Sequence, residues 1–317
     1  MGYSGYMNKL DIKARARILA CLVEGNSIRA TVRMTGSAKN TVVKLLAEVG
    51  AACAAYQDKT LCNLPCKRIQ CDEIWSFVYA KARNVSTAKA APEGAGDAWT
   101  WTALDADTKL IAGWMIGPRD AETAREFMTD VAERLSNRVQ LTTDAHQAYL
   151  SAVEAGFGGA VDYAQLVKIY GDSANRTPER RYSPSNFCGT KTKTVKGNPD
   201  KAHISTSFVE RQNLTMRMGM RRFTRLTNGF SKKLENLGYA VALHFMYYNF
   251  GRIHQTLRVT PAMEAGVSDH VWELEEIAAL AAYGRTRPFL ARRSRHVKNA
   301  LFASALRSNA VLYRMVR

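Results

Sequence analysis

The chain has 317 residues, 46% of them hydrophobic, enough to bury a core and to build more than one domain. Lysine and arginine outnumber aspartate and glutamate 45 to 28, for a formal charge of +17, which suits a polyanionic partner. No stretch approaches the roughly 18 uncharged apolar residues of a membrane span, and the run MGYSGYMNKLDIKARAR has no apolar centre of signal-peptide length, so a soluble cytoplasmic protein is expected.

Residues 11–49 read as three short helices. Ile12, Ala16, Leu19, Leu22 and Val23 share one helical face, and Gly25 with Asn26 stops it. A second helix starts at Ser27 and ends at Gly36. The third, SAKNTVVKLLAEVG, turns Val42, Leu45, Leu46 and Val49 inward. The pair joined at Gly36 reads as a helix-turn-helix, whose second helix enters the DNA major groove. That places Ser37, Lys39, Asn40, Thr41 and Lys44 against DNA. The bland alternative is a plain three-helix packing unit. Residues 1–58 are assigned to this all-α domain and 59–70 to a linker. Cys62, Cys66 and Cys71 fall close together there, without paired C-x-x-C hooks or a nearby histidine. Reduced thiols are the default, and zinc is left open.

From Cys71 the pattern changes to strands. CDEIWSFVYAK is rich in aromatic and β-branched residues, DAWTWTALDAD alternates with period two, and TKLIAGWMIG follows a short turn. DAETAREFMTDVAERLS is an amphipathic helix with Phe127, Val131 and Leu135 inward. RVQLTTD is a fourth strand, AHQAYLSAVEAGF a helix, and VDYAQLVKIYG a fifth strand. The expected fold is α/β, a mixed five-stranded sheet with flanking helices. This core is assigned to 71–225, with a polar, basic loop insertion at 171–202. A helical region at 226–283 and a basic tail at 284–317 close the chain.

Three carboxylates lie at strand positions or helix starts. Asp72 is in the first strand, Asp144 ends the fourth, and Glu210 begins the helix after the loop. If the first and fourth strands sit side by side under that helix, the three acids converge. Oxygen-only ligands suit Mg²⁺ or Mn²⁺. Two such ions about 4 Å apart serve phosphodiester cleavage. Each acid has a plainer role open to it. Ser207 and Glu210 fit a capping box, and Asp144 with Gln147 fits another. Glu73 follows Asp72, and strand alternation lets only one of them face a site. Arg217 lies two helical turns after Glu210, and Arg221 one turn further, so that a phosphate backbone would cross the metals. Arg222 adds a third cation for DNA.

CDEIWSFVYAK, LTTDAH and TSFVERQNLTMR…RRFTRLTNGFSKK resemble the transposases of bacterial insertion sequences, most closely the insertion sequence 1 family. YYNFGRIHQTLRVTPAMEAG resembles the closing segment of such enzymes. The resemblance covers residues 10–280 and implies a DDE transposase with a ribonuclease-H-like core. It makes Asp72, Asp144 and Glu210 the catalytic, metal-binding triad for two Mg²⁺ ions, with Mn²⁺ as substitute. Arg217 matches the basic residue after the family's glutamate. The implied partners are double-stranded DNA, as element ends and target, and further copies of the chain, a homodimer or higher oligomer, in a nucleoid-associated synaptic complex. The long interval from Asp144 to Glu210 requires an insertion to loop out. Two rivals stand beside this reading: a nuclease sharing the core, and a DNA-binding regulator with a dead one.

Overall fold

The computed structural model describes residues 10–171, 187–224 and 227–283. The basic tail at 284–317 and residues 172–186 of the expected loop lie outside the described residues.

Three helices open the chain: α1 (Ile12–Val23), α2 (Ile28–Thr35) and α3 (Lys39–Thr60). Short polar side chains start the first two. Asp11 accepts the N–H of Ala14 at 2.7 Å, and Ser27 accepts that of Ala30 at 3.1 Å. Gly36 ends α2 in the left-handed conformation (φ 69°), which glycine adopts without strain. α3 runs past the end expected at Gly50. That glycine is a point of close approach instead: a Cβ there would lie 2.5 Å from the carbonyl oxygen of Tyr239.

The sheet follows: β1 (Arg68–Val78), a short α4 (Ala82–Val85), β2 (Gly96–Asp105) and β3 (Ile111–Gly117). Then come α5 (Ala121–Arg134), β4 (Val139–Asp144), α6 (Ala148–Phe157) and β5 (Val161–Tyr170). β6 (Phe187–Lys196) pairs antiparallel with β5, and the order is β3-β2-β1-β4-β5-β6. Among the described residues the sheet therefore has six strands, not five, and part of the expected loop is its edge. The run FCGTKTKTVK hides this because nearly every residue of β6 is exposed. A strand open on both faces shows no apolar alternation, and lysines are a usual guard of a free edge. The first three strands form the expected antiparallel meander, while β4 runs parallel to both β1 and β5. A mixed sheet in this order with flanking helices is consistent with a ribonuclease-H-like fold.

The closing helices are α7 (Ser207–Gly219), α8 (Leu234–Met246), α9 (Pro261–Glu264) and α10 (Leu274–Tyr283). α8 continues into a wider turn at Tyr247–Gly251. There Asn249, wholly buried, accepts the N–H of Ile111 at 2.9 Å and donates to its carbonyl at 3.0 Å. That side chain pins the helix to the start of β3 and satisfies strand groups that a buried edge would leave orphaned. One hydrophobic core joins Leu19, Val49, Trp101, Phe127, Val209, Phe245 and Ile277. α3 packs on α8, and α1 on α10. At Gly25 (φ 78°) the α1–α2 turn meets the last turn of α7, where an added Cβ would lie 3.2 Å from the Gly219 oxygen. No described helix is long and apolar enough to cross a membrane.

Candidate active site

β1 is the strand where the sheet changes character, antiparallel to β2 on one side and parallel to β4 on the other. At such a switch, the carboxyl ends of neighbouring parallel strands splay and leave a crevice. The last registered pair is Cys71 with Thr143. Asp72 and Asp144 are the next residues out, side by side at the mouth of that crevice.

Asp72 is half-buried and firmly held. Its Oδ1 accepts the N–H of Glu73 at 2.9 Å, and its Oδ2 accepts from Asn213 Nδ2 of α7 at 2.8 Å. Burial, then the charge of Asp144, pushes its pKa up to about 6, with Glu210 adding to the rise. Asp144 Oδ1 accepts the N–H of His146 at 2.9 Å, a local turn. Gln147 makes no side-chain cap on α6, so the capping-box role for Asp144 is absent.

Glu73 is the residue the sequence argument set aside. Its side chain is 1% exposed. Yet one oxygen from each of Asp72, Glu73 and Asp144 lies within 4.8 Å of the others. Alternation does turn Glu73 to the opposite sheet face, but past the last rung with β4 both faces open onto the crevice. Burial, then Asp144, pushes the Glu73 pKa up to about 7, and the Arg119 charge pulls against that rise. Arg119 Nη2 lies 3.5 Å from Glu73 Oε2 and 3.4 Å from Asp144 Oδ2. It sits at the entry to α5, just before the Asp120 that accepts the N–H of Thr123 and starts the helix. In sequence, PRD reads only as a turn before a helix.

Glu210 stands on the opposite wall. Its backbone lies in the first turn of α7, but it caps nothing. Its carboxylate accepts the Thr206 hydroxyl and pairs with Lys168 of β5. The first N–H groups of α7 are satisfied from elsewhere: Gln70 Oε1 accepts from Phe208 at 2.9 Å and from Val209 at 3.2 Å. A cleft of about 880 Å³ is lined by Asp72, Glu73, Asp144 and Glu210, with Arg119, Lys168, Asn213 and Arg217.

Two of the expected DNA-contacting arginines lie elsewhere. α7 ends at Gly219 and Met220 is extended (φ −128°), so Arg221 leaves the helical face that carries Glu210 and Arg217. Arg222 turns inward, donating from Nε to Ser231 Oγ at 2.8 Å. Desolvation pulls its pKa down to about 10. In the α2–α3 pair, Lys39, Asn40 and Lys44 are exposed, while Ser37 and Thr41 are half-buried. Of the linker cysteines, Cys62 is exposed and Cys66 and Cys71 are buried, where desolvation pushes their thiol pKa values up.

The donor set fits a hard divalent cation. All its atoms are carboxylate oxygens, and the buried Glu73 Oε1 has no hydrogen-bond partner among the described residues. Asp72, Glu73 and Asp144 could hold one ion directly. Glu210 could join them across the cleft once it parts from Lys168.

No family model matches the chain, and no curated protein matches it in sequence. Among solved structures, it is similar to a piggyBac transposase seen in a synaptic complex with hairpin DNA, at TM-score 0.37 and 10% identity, over 95% of this chain and 77% of that one.

Proposed function

We propose that the chain is a DDE transposase of the insertion-sequence kind, which cleaves the 3′ ends of its element and joins them to target DNA. The observation that carries this reading is the meeting of Asp72, Glu73 and Asp144 within 4.8 Å where the parallel pairing of β1 and β4 stops, with Glu210 lining the same cleft. The sequence resemblance supplies the reaction class.

In this reading Asp72, Asp144 and Glu210 hold the metal ions, and Glu73 is a fourth donor. Bound Mg²⁺ would supply activation of an attacking oxygen and stabilisation of a leaving one. Asn213 fixes the Asp72 carboxylate. Arg119 and Lys168 hold the acids in check until the ions and DNA arrive. Arg217 contacts the phosphate backbone beside the acids. Lys39, Asn40 and Lys44, with Ser37 and Thr41, form the end-binding helix of a helix-turn-helix. At least two copies act together, because two element ends are cut and joined in concert, and steep weakening of binding by salt follows from the phosphate contacts.

The test is incubation with Mg²⁺ and labelled DNA carrying the ends of the encoding element. Wild-type protein should yield nicked and joined products. Asp72→Asn, Asp144→Asn and Glu210→Gln should yield none while still binding the ends. A Glu210→Gln protein that cleaves normally would remove the triad from the account. The ion pairs that Arg119 and Lys168 make with the acids favour a second reading, a DNA-binding regulator with a silent core. For such a regulator Asp72→Ala changes nothing measurable, and wild type makes no product.

A further inference from the structure

One face of β1 runs outward from the acids through Glu73, Trp75 and Phe77, at the period of two that a strand imposes. Glu73 is buried beside Tyr149 of α6, but Trp75 and Phe77 lie further along and are only half-buried. The register partner of Trp75 on β2 is Trp99, also half-buried. A backbone bridge from Val78 to Ser231 draws the segment after α7 onto the strand end. This sets the Phe230 ring 4.7 Å from that of Phe77, which is 5.7 Å from that of Trp75.

Cations border these rings along their whole length. The Arg119 guanidinium lies 5.0 Å from the Trp99 centroid, while its Nη2 reaches Glu73 and Asp144. Lys81 Nζ is 5.7 Å from the Trp75 centroid, and Lys232 Nζ is 3.8 Å from that of Phe230. Asp97, the acid opposite Phe77, is tied to the N–H of Ala82 at 2.9 Å. Half-exposed rings flanked by lysine and arginine suit a ligand with flat apolar faces and a regular negative charge. Unpaired nucleotides have both. In a duplex the faces of the bases are covered by the neighbouring pairs of the stack and offer neither Trp75 nor Trp99 a surface.

We infer that the stripe of Trp99, Trp75, Phe77 and Phe230 is a stacking track for single-stranded DNA, which leads an unpaired strand toward the acids. This deepens the transposase reading and rests on it for the choice of nucleic acid. Arg119 stands at the junction, touching both the first ring and the acids.

The experiment measures binding of a fluorescent 12-nucleotide oligothymidylate to the full chain in EDTA, against a duplex of the same length. Trp75→Ala should weaken single-strand binding roughly 5- to 150-fold, and Trp75→Phe should retain most of it. Duplex binding should stay within about twofold for both, because the track offers nothing to paired bases. Single-strand binding unchanged in Trp75→Ala would overturn the inference, as would equal losses for both DNAs. If Trp75→Ala fails to fold, the wild-type titration decides. Oligothymidylate should then quench the tryptophan emission, since Trp75 and Trp99 are half-exposed while Trp101 is fully buried, and no quenching would equally overturn it. The function reading fails separately, by absence of Mg²⁺-dependent nicking, and that readout shares no step with binding in EDTA.

Discussion

Gln70 of β1 accepts the backbone N–H of Phe208 of α7 at 2.9 Å, so the strand that carries Asp72 caps the helix that carries Glu210. The same oxygen takes the Val209 N–H, and two residues along the strand Asp72 receives Asn213. The two Gln70 contacts fix the helix against the strand without using either acid. Gln70→Ala should destabilise the protein by about 1–3 kcal/mol, the usual penalty for leaving buried N–H groups without an acceptor. Cleavage should fall further than the stability loss explains, because α7 is free to shift. Denaturant melts compared with nicking rates below the melting range would check this.

Asp72 and Glu73 make the cation-free protein sensitive to pH in an unusual direction. Their native pKa values, about 6 and about 7, lie above the ordinary 3.8 and 4.5. The native state therefore holds extra protons between roughly pH 4 and 7, and stability should fall as pH rises through that window. Divalent cations need the same carboxylates ionised. The rise in melting temperature on adding Mg²⁺ or Mn²⁺ should thus be larger at pH 8 than at pH 5.5. A cation-induced shift independent of pH would argue against these ligands.

Asp72→Asn should separate stability from chemistry. It removes one of three crowded charges and keeps an acceptor for Asn213. The cation-free protein at pH 8 should gain about 1–3 kcal/mol, from pKa shifts of a few units. It should also lose its Mg²⁺ response and all nicking. Thermal melts with and without Mg²⁺ give the first two results, and incubation with labelled DNA gives the third.

His244 works in the opposite direction over most of the same window. It is buried, and desolvation together with Arg252 brings its pKa down to about 4 from 6.5. The unfolded chain takes up its proton first as pH falls, so stability drops from pH 6.5 toward 4, by up to about 1.4 kcal/mol per unit. His244→Leu should remove this opposing contribution, so that the stability of the cation-free protein falls more steeply with rising pH between about 4 and 6.5. Chemical denaturation at stepped pH would reveal the change in slope.

Gly50→Ala should cost about 1–3 kcal/mol or more, since overpacking forces backbone to move. Besides the Tyr239 oxygen, the new methyl would meet Tyr239 Cβ at 2.6 Å and Cα at 2.7 Å, and backbone cannot rotate away. A control at Gly36 would be uninformative, because its positive φ penalises any side chain. Gly159→Ala offers a better control, as no atom lies within 4 Å of its added Cβ and its φ is outside the left-handed region.

Much of the sheet was legible in the sequence because its central strands alternate cleanly or stay apolar throughout. Trp99 and Trp101 show the period of two directly, and LTTD ends at the crevice. β6 was illegible because a strand exposed on both faces carries no hydrophobic signal. Asp72, Asp144 and Glu210 were singled out from their places in the first strand, at the end of the fourth and at a helix start, and the structure lines one cleft with all three. Glu73 was lost because alternation, which does hold there, does not by itself exclude it: β4 stops pairing with β1 one residue before Asp72. Arg222 was misread because a cation in a basic run looks like surface, and nothing local announces the buried hydroxyl of Ser231. Glycine misled once as well: Gly50 looked like a helix stop and is a helix crossing.

That crossing, with the contact between Gly25 and Gly219, ties the first fifty residues to the helix bearing Glu210. A fragment cut at residue 58 would strip α3 of the α8 surface it buries and should not fold as a free-standing module. Lys39 and Asn40 therefore stand on the same packed body that meets the last turn of α7 at Gly219, and any tilt of α1–α3 has to be shared by that turn.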